Sequence, residues 1–249
     1  MTYCMAISVK AGIVFCSDSR TNAGVDQVST YSKMFRFDLG PDRQFVVLTA
    51  GNLATSQATI AQARRDLREN AALSLNTVKS IGEAADYLGE VCRAQQEKHS
   101  GQGFQASFLM GGQVGTRDHR IVMIYPEGNH ITSSKDTPFL QIGESKYGKP
   151  ILDRILTPDT TLETAALCAL VSMDATMRSN LTVGPPIEVL IYPNNGFDTT
   201  RYFRFEAESE YLRELKKGWD NGLRDAFNGL PQLNWSRQDA HALPTDDSH

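Results

Sequence analysis

Strand-like and helix-like segments come in blocks along this chain instead of alternating. Apolar-rich runs at Tyr3 to Val9 and Ile13 to Ser17 flank Lys10-Ala11-Gly12, the signature of a hairpin closed by a short glycine-containing turn. A second hairpin is expected where Met34 to Leu39 and Gln44 to Ala50 flank Gly40-Pro41-Asp42-Arg43. Two helical segments follow. Leu53 to Glu69 is rich in Ala, Gln and Arg, and Val78, Ile81, Ala85, Leu88 and Cys92 recur at spacings of three and four, which gives a second helix one apolar face. Strand signals resume at Ala106 to Val114 and Arg120 to Tyr125 and continue weakly to Ile142. The helical period then returns. Thr160 and Glu163 read as a capping box, Ala166, Ala169, Leu170, Met173 and Met177 follow, and Gly184-Pro185-Pro186 is the stop. Glu188 to Tyr192 and Thr200 to Phe205 read as closing strands. Leu212, Leu215, Trp219 and Phe227 mark one face of a last helix ended by Gly229 and Pro231. Grouped strands followed by paired helices, twice over, predict an α+β fold in which two packed sheets carry helices on both outer faces.

No repeat and no linker divides the 249 residues, so one domain spanning 1–249 is expected, with 230–249 as a disordered tail. A net charge of -4, with the 25 Lys and Arg scattered, supplies no basic stripe for a phosphate backbone. Nucleic acid is therefore excluded as an expected partner. Cys4, Cys16, Cys92 and Cys168 show no paired spacing and the five histidines are dispersed, which argues against a zinc site or a disulfide framework and for reduced, buried thiols. No basic-then-apolar leader precedes the first strand, and no apolar run approaches the length of a membrane span. A soluble, cytoplasmic protein with no membrane partner is expected.

The front end carries the candidate chemistry. Thr2 follows the initiator Met1, and methionine is generally excised before a small residue. The exposed α-amine, with a pKa of about 7.7 to 8.0, would then lie beside its own hydroxyl and could act as its base. Asp18 ends the second strand of the hairpin, so strand pairing returns its carboxylate toward Thr2, and Lys33 immediately precedes the third strand. A buried lysine beside a carboxylate keeps its charge and eases ionisation of the hydroxyl. Taken singly these residues mean little: many cytosolic proteins begin Met-Thr, and an aspartate and a lysine flanking a loop read as surface charges. Gly143-Glu144-Ser145-Lys146-Tyr147 lacks the last glycine of a hydrolase elbow, and Gly111-Gly112-Gln113-Val114-Gly115 lacks the lysine of a phosphate loop.

Taken together, Thr2, then Cys16-Ser17-Asp18-Ser19-Arg20-Thr21-Asn22-Ala23-Gly24, then Lys33, then Thr49-Ala50-Gly51-Asn52-Leu53-Ala54 resemble, in order and spacing, the start of a proteasome-type β subunit of the N-terminal nucleophile superfamily. The fuller pattern through Thr55 is similar to the bacterial ancestral β subunits, the Anbu group, over residues 2–227. The resemblance implies a four-layer αββα sandwich with Thr2 as nucleophile and Asp18 and Lys33 as its electrostatic partners. It also implies the Gly51 N–H as oxyanion donor and Asp174 as a supporting aspartate. Where relatives read Gly-Ser-Gly, this chain reads Gly143-Glu144-Ser145, so either Ser145 or Glu144 meets the amine of Thr2, with Ser145 preferred. Ser179-Asn180 resembles a Thr-Asn ending that lies near a cation in the peptidase of the two-component bacterial protease; no ion is assigned here.

The resemblance thus implies a threonine hydrolase that cuts amide bonds in peptide or protein substrates without a cofactor. Self-association in a closed ring or an open spiral is implied too, with an ATPase partner left open. The alternatives are an amidase or acyl transferase of the same superfamily, and a non-catalytic shell subunit. The latter carries a helix ahead of its first strand, where this chain has only Met1-Thr2.

Overall fold

The computed structural model describes residues 1–22, 28–99 and 103–233; residues 234–249, most of the expected tail, lie outside these, as do Ala23 and Gly24 of the quoted motif. The first half contains β1 (Tyr3–Val9), β2 (Gly12–Asp18), β3 (Arg20–Asn22), β4 (Val28–Thr30), β5 (Met34–Asp38), β6 (Arg43–Gly51), α1 (Leu53–Arg68) and α2 (Ile81–Gln96). Then come β7 (Ala106–Val114), β8 (Arg120–Ile124), β9 (His130–Thr132), β10 (Phe139–Gly143), α3 (Lys149–Ile155), α4 (Leu162–Ser179), β11 (Ile187–Pro193), β12 (Tyr202–Phe205) and α5 (Glu210–Asn228). Two five-stranded antiparallel sheets result, one in the order β10-β1-β2-β11-β12 and the other β5-β6-β7-β8-β9, with β3 and β4 paired separately.

The layers follow from strands that are apolar on both faces. In β1, Tyr3, Met5 and Ile7 pack with Ala165, Ala169 and Met173 of α4. The alternate residues Cys4 and Ala6 meet Val46, Leu48 and Leu109 of the other sheet. Phe45, Val47 and Phe108 then cover the far face with Ala63 of α1 and Leu88 of α2. The order is helices, sheet, sheet, helices, the expected αββα sandwich.

Three local expectations shift. Thr161, not Thr160, caps α4, accepting from the Thr164 N–H, because the Thr160 hydroxyl is occupied by the Thr157 N–H across the Pro158-Asp159 turn. The helix also stops at Ser179, ahead of the Gly-Pro-Pro signal, where Asn180 leaves helical geometry with φ -138°. The apolar face of α5 is only partly used. Leu212 and Leu215 touch the α4 core, yet no residue of α5 is fully buried and Phe227 is 72% exposed. Among the described residues, no helix is long and apolar enough to cross a membrane.

Candidate active site

The hairpin register places the second residue. Cys4 pairs with Ser17, so Tyr3 lies beside Asp18 and its backbone N–H donates to Asp18 Oδ1 at 3.0 Å. Lys33 donates from Nζ to the same oxygen at 2.6 Å and to the Arg20 carbonyl at 2.7 Å. The Gly184 N–H, from the turn between α4 and β11, reaches Asp18 Oδ2 at 3.3 Å. Lys33 is itself held by its carbonyl, which accepts from the Thr49 N–H at 3.0 Å where β6 runs past. Both side chains of this ion pair are buried, Asp18 completely. Thr2, Thr21, Lys33, Gly51 and Gly143 line one cavity of about 280 Å³, with Met1 at its edge.

Gly51 ends β6 with φ +100°, and a Cβ there would lie 2.5 Å from the Gln105 carbonyl oxygen. Only glycine fits that backbone. Directly after it, Asn52 caps α1 by accepting from the Thr55 N–H, which fixes the turn that carries Gly51 to the cavity wall.

Charge in this corner is balanced between burial and pairing. Burial pushes the Asp18 carboxyl above its ordinary value, while Lys33 and the Tyr3 and Gly184 N–H groups pull it back down. The terminal amine, carried by Met1 in the unprocessed chain, is lowered, first by burial and then by Lys33. Burial drives the Cys4 thiol well above its ordinary value, and its Sγ is spent on the Thr49 carbonyl at 3.6 Å. A protonated, buried thiol is a poor nucleophile.

The structure therefore brings Thr2, Asp18, Lys33 and Gly51 together. It does not bring Asp174 to them: that half-buried carboxyl lies among Lys216, Arg178 and Asp220, on the side of α4 that meets α5. Its neighbour Ser172 points the other way, hydrogen-bonding the Tyr3 hydroxyl at 2.7 Å, and residues two apart on a helix cannot share a face. Of the pair after Gly143, Glu144 is the one held against Thr2. It is buried, and its N–H donates to the Thr2 carbonyl at 2.7 Å. Ser145 is half-buried, and its carbonyl accepts from Gln141 Nε2 at 3.5 Å.

One buried group near the site went unread in the sequence. Glu188 accepts from Ser19 Oγ at 3.1 Å, from Ser32 Oγ at 3.0 Å and from the Tyr202 hydroxyl. Its signal was there: a lone charge inside the apolar strand Ile187-Glu188-Val189-Leu190 is too costly to bury without partners. Among the described residues, no group of three or more His, Cys, Asp or Glu side chains is placed to hold a metal ion.

A family model for proteasome subunits matches residues 2–192. The chain belongs to the proteasome family. Within the family it falls in the ancestral β-subunit (Anbu) group. It is 45% identical to the solved Anbu from Yersinia bercovieri, covering 93% of this chain and 99% of that one with a TM-score of 0.90. A Gly-1 mutant of Anbu from Hyphomicrobium sp. strain MC1 is 42% identical over 94% of this chain and 100% of that one, TM-score 0.90. The Pseudomonas aeruginosa protein, described as a helical assembly of the Anbu complex, is 43% identical over 94% and 98%, TM-score 0.89. No curated protein sequence is significantly similar to the chain. In this proteasome-family fold the corner formed by β1, β2 and the end of β6 is thus the place where hydrolytic chemistry is to be sought.

Proposed function

We propose that the chain is an N-terminal threonine hydrolase of amide bonds, acting on peptide or protein substrates once Met1 is removed. The observation that carries this reading is the fully buried Asp18 carboxylate, bonded at once to Lys33 and to the backbone beside Thr2. In the proposed reaction the α-amine, through a water molecule, takes the Thr2 Oγ proton. Oγ attacks the substrate carbonyl carbon, and the Gly51 N–H donates to the oxyanion. The carbon–nitrogen bond then breaks, the leaving amine takes the proton from the α-ammonium, and water hydrolyses the Thr2 ester. Lys33 contributes a fixed positive charge beside the developing alkoxide. Base assistance of this kind supplies about 10²–10⁴-fold and an oxyanion donor about 10²–10³-fold.

The four free, buried cysteines support a reducing compartment, hence the cytoplasm, and the apolar layer shared by the two sheets supports a single domain. The helical assembly of the Pseudomonas aeruginosa relative supports self-association, closed or spiral. The deciding experiment is an intact mass before and after treatment with a peptide epoxyketone, which reacts with a threonine hydroxyl and a free amine together. One adduct on a chain lacking Met1 is the expected result. A processed, folded chain that takes no adduct would reject the nucleophile.

A further inference from the structure

Three strands carry a row of side chains into the layer between the sheets, two residues in from Thr2. Cys4 of β1 pairs with Ser17 of β2, and Ser17 pairs in turn with Glu188 of β11. The next row on the same face is Ala6, Phe15 and Leu190, all apolar. Cys4, Ser17 and Glu188 are buried, the first two completely. The Cys4 thiol donates to the Thr49 carbonyl, and Glu188 accepts from Ser19, Ser32 and Tyr202. Ser17 has no such partner. Its Oγ is the one buried side-chain nitrogen or oxygen among the described residues that makes no hydrogen bond.

A buried hydroxyl that neither donates nor accepts is costly, and in a native protein such a group marks a bound water or ion. The surroundings of Ser17 select water. Ser17 and Ser19 are two residues apart along an extended chain and so face the same way. Ser19 Oγ reaches Glu188 Oε2 directly at 3.1 Å, whereas Oε1 takes both Ser32 and the Tyr202 hydroxyl. Three donors thus serve a carboxylate with about four lone-pair sites, and the open site is on Oε2. Side chains directly opposite on antiparallel strands start about 4.5–5.5 Å apart at Cβ, and this carboxylate leans toward Ser19, so the gap back to Ser17 is one that a single water spans. Cys4 and Ser17 are short, where the next row has Phe15, so the layer is less filled here. A metal cation takes about six oxygen ligands, far more than one hydroxyl and one carboxylate edge supply, and among the described residues no metal-binding group is placed here.

We propose that Ser17 and Glu188 hold a buried water molecule between the two sheets, bonded to Ser17 Oγ and donating to Glu188 Oε2. The water satisfies the Ser17 hydroxyl and gives a fourth donor to a carboxylate that is otherwise bonded to hydroxyls alone. It also has a mechanical consequence. Glu188 holds Ser32, the residue before Lys33, and through Ser19 and the water it is tied to β2 on both sides of Asp18. The site does not depend on Thr2 being the nucleophile.

Two measurements test the site. In a crystal structure of the wild-type chain that resolves ordered water, a density peak is expected within hydrogen-bond distance of both Ser17 Oγ and a Glu188 carboxylate oxygen. An empty map at that point overturns the proposal. The second measurement is the melting temperature of Ser17→Ala. Deleting a hydroxyl that bonds nothing leaves stability unchanged or improves it, whereas deleting the anchor of this water strips a donor from Glu188. Ser17→Ala should therefore melt about 2–4 °C lower than wild type, and an equal or higher melting temperature overturns the proposal. In a Glu188→Gln background, where the charge-assisted bond is already reduced to an ordinary one, the same change should cost less. Strictly additive losses would mean that Ser17 and Glu188 share no water and would reject the bridge. Should a variant fail to fold, the wild-type map decides alone.

Discussion

Two buried carboxylates sit one register step apart on neighbouring strands, and they are held in opposite ways. Asp18 of β2 pairs with Ile187, and Glu188 of β11 pairs with Ser17. Asp18 is bonded to an ammonium and two backbone N–H groups. Glu188, 2% exposed, is bonded to three hydroxyls. An ammonium neutralises a carboxylate, so the first arrangement forms a strong local dipole beside Thr2. Hydroxyls leave the charge in place and fix geometry: Ser19 follows Asp18, Ser32 precedes Lys33, and Glu188 ties the two segments together. Tyr202 serves as a donor throughout the neutral range, since burial and the adjacent Glu188 push it up to about 12. The first carboxylate is suited to electrostatic work and the second to alignment.

Lys33→Ala attacks the contrast at its strongest point. It strands a fully buried carboxylate without its cation, a change that costs about 3–5 kcal/mol in comparable buried pairs. Loss of epoxyketone labelling together with a melting temperature lowered by several degrees is the expected outcome. An unchanged melting temperature would show that Asp18 does not depend on the ammonium. Glu188→Gln should do less. Its amide keeps the shape, and the hydroxyls can turn to accept from it, so a loss of about 1–3 kcal/mol is expected. Labelling should slow without disappearing. If Glu188→Gln silenced Thr2 as completely as Lys33→Ala, the division between electrostatic work and alignment would be wrong.

Much of this was legible in the sequence, for identifiable reasons. The β1–β2 hairpin has a short turn, and a short turn fixes the register that brings Asp18 back to Thr2. The grouping of strands and of paired helices, with the apolar spacing of α2, announced the layers. The parts that were not legible depend on contacts between distant segments. Ser145 and Glu144 are adjacent, and a kink at Gly143 decides which one meets Thr2. Asp174 sits on α4, and its rotation about the helix axis, set by Tyr3 against Ser172 and by Lys216 and Asp220 on α5, turns it away from Thr2. The early end of α4 has a similar cause, as Asn180 exchanges helical geometry for bonds to Glu144 and Thr182. Strand order within the sheets, with β11 against β2, has no local signal at all.

Met1 lies at the edge of the cavity it would share with a substrate, yet it is 61% exposed. On the proposed Thr2 mechanism, a polypeptide that keeps Met1 is stoppered by its own first residue, which at that exposure is open to an aminopeptidase. Under the proposed chemistry, competence is acquired molecule by molecule as Met1 is removed. In any preparation, the fraction of chains that accept the electrophile should equal the fraction whose mass lacks one methionine.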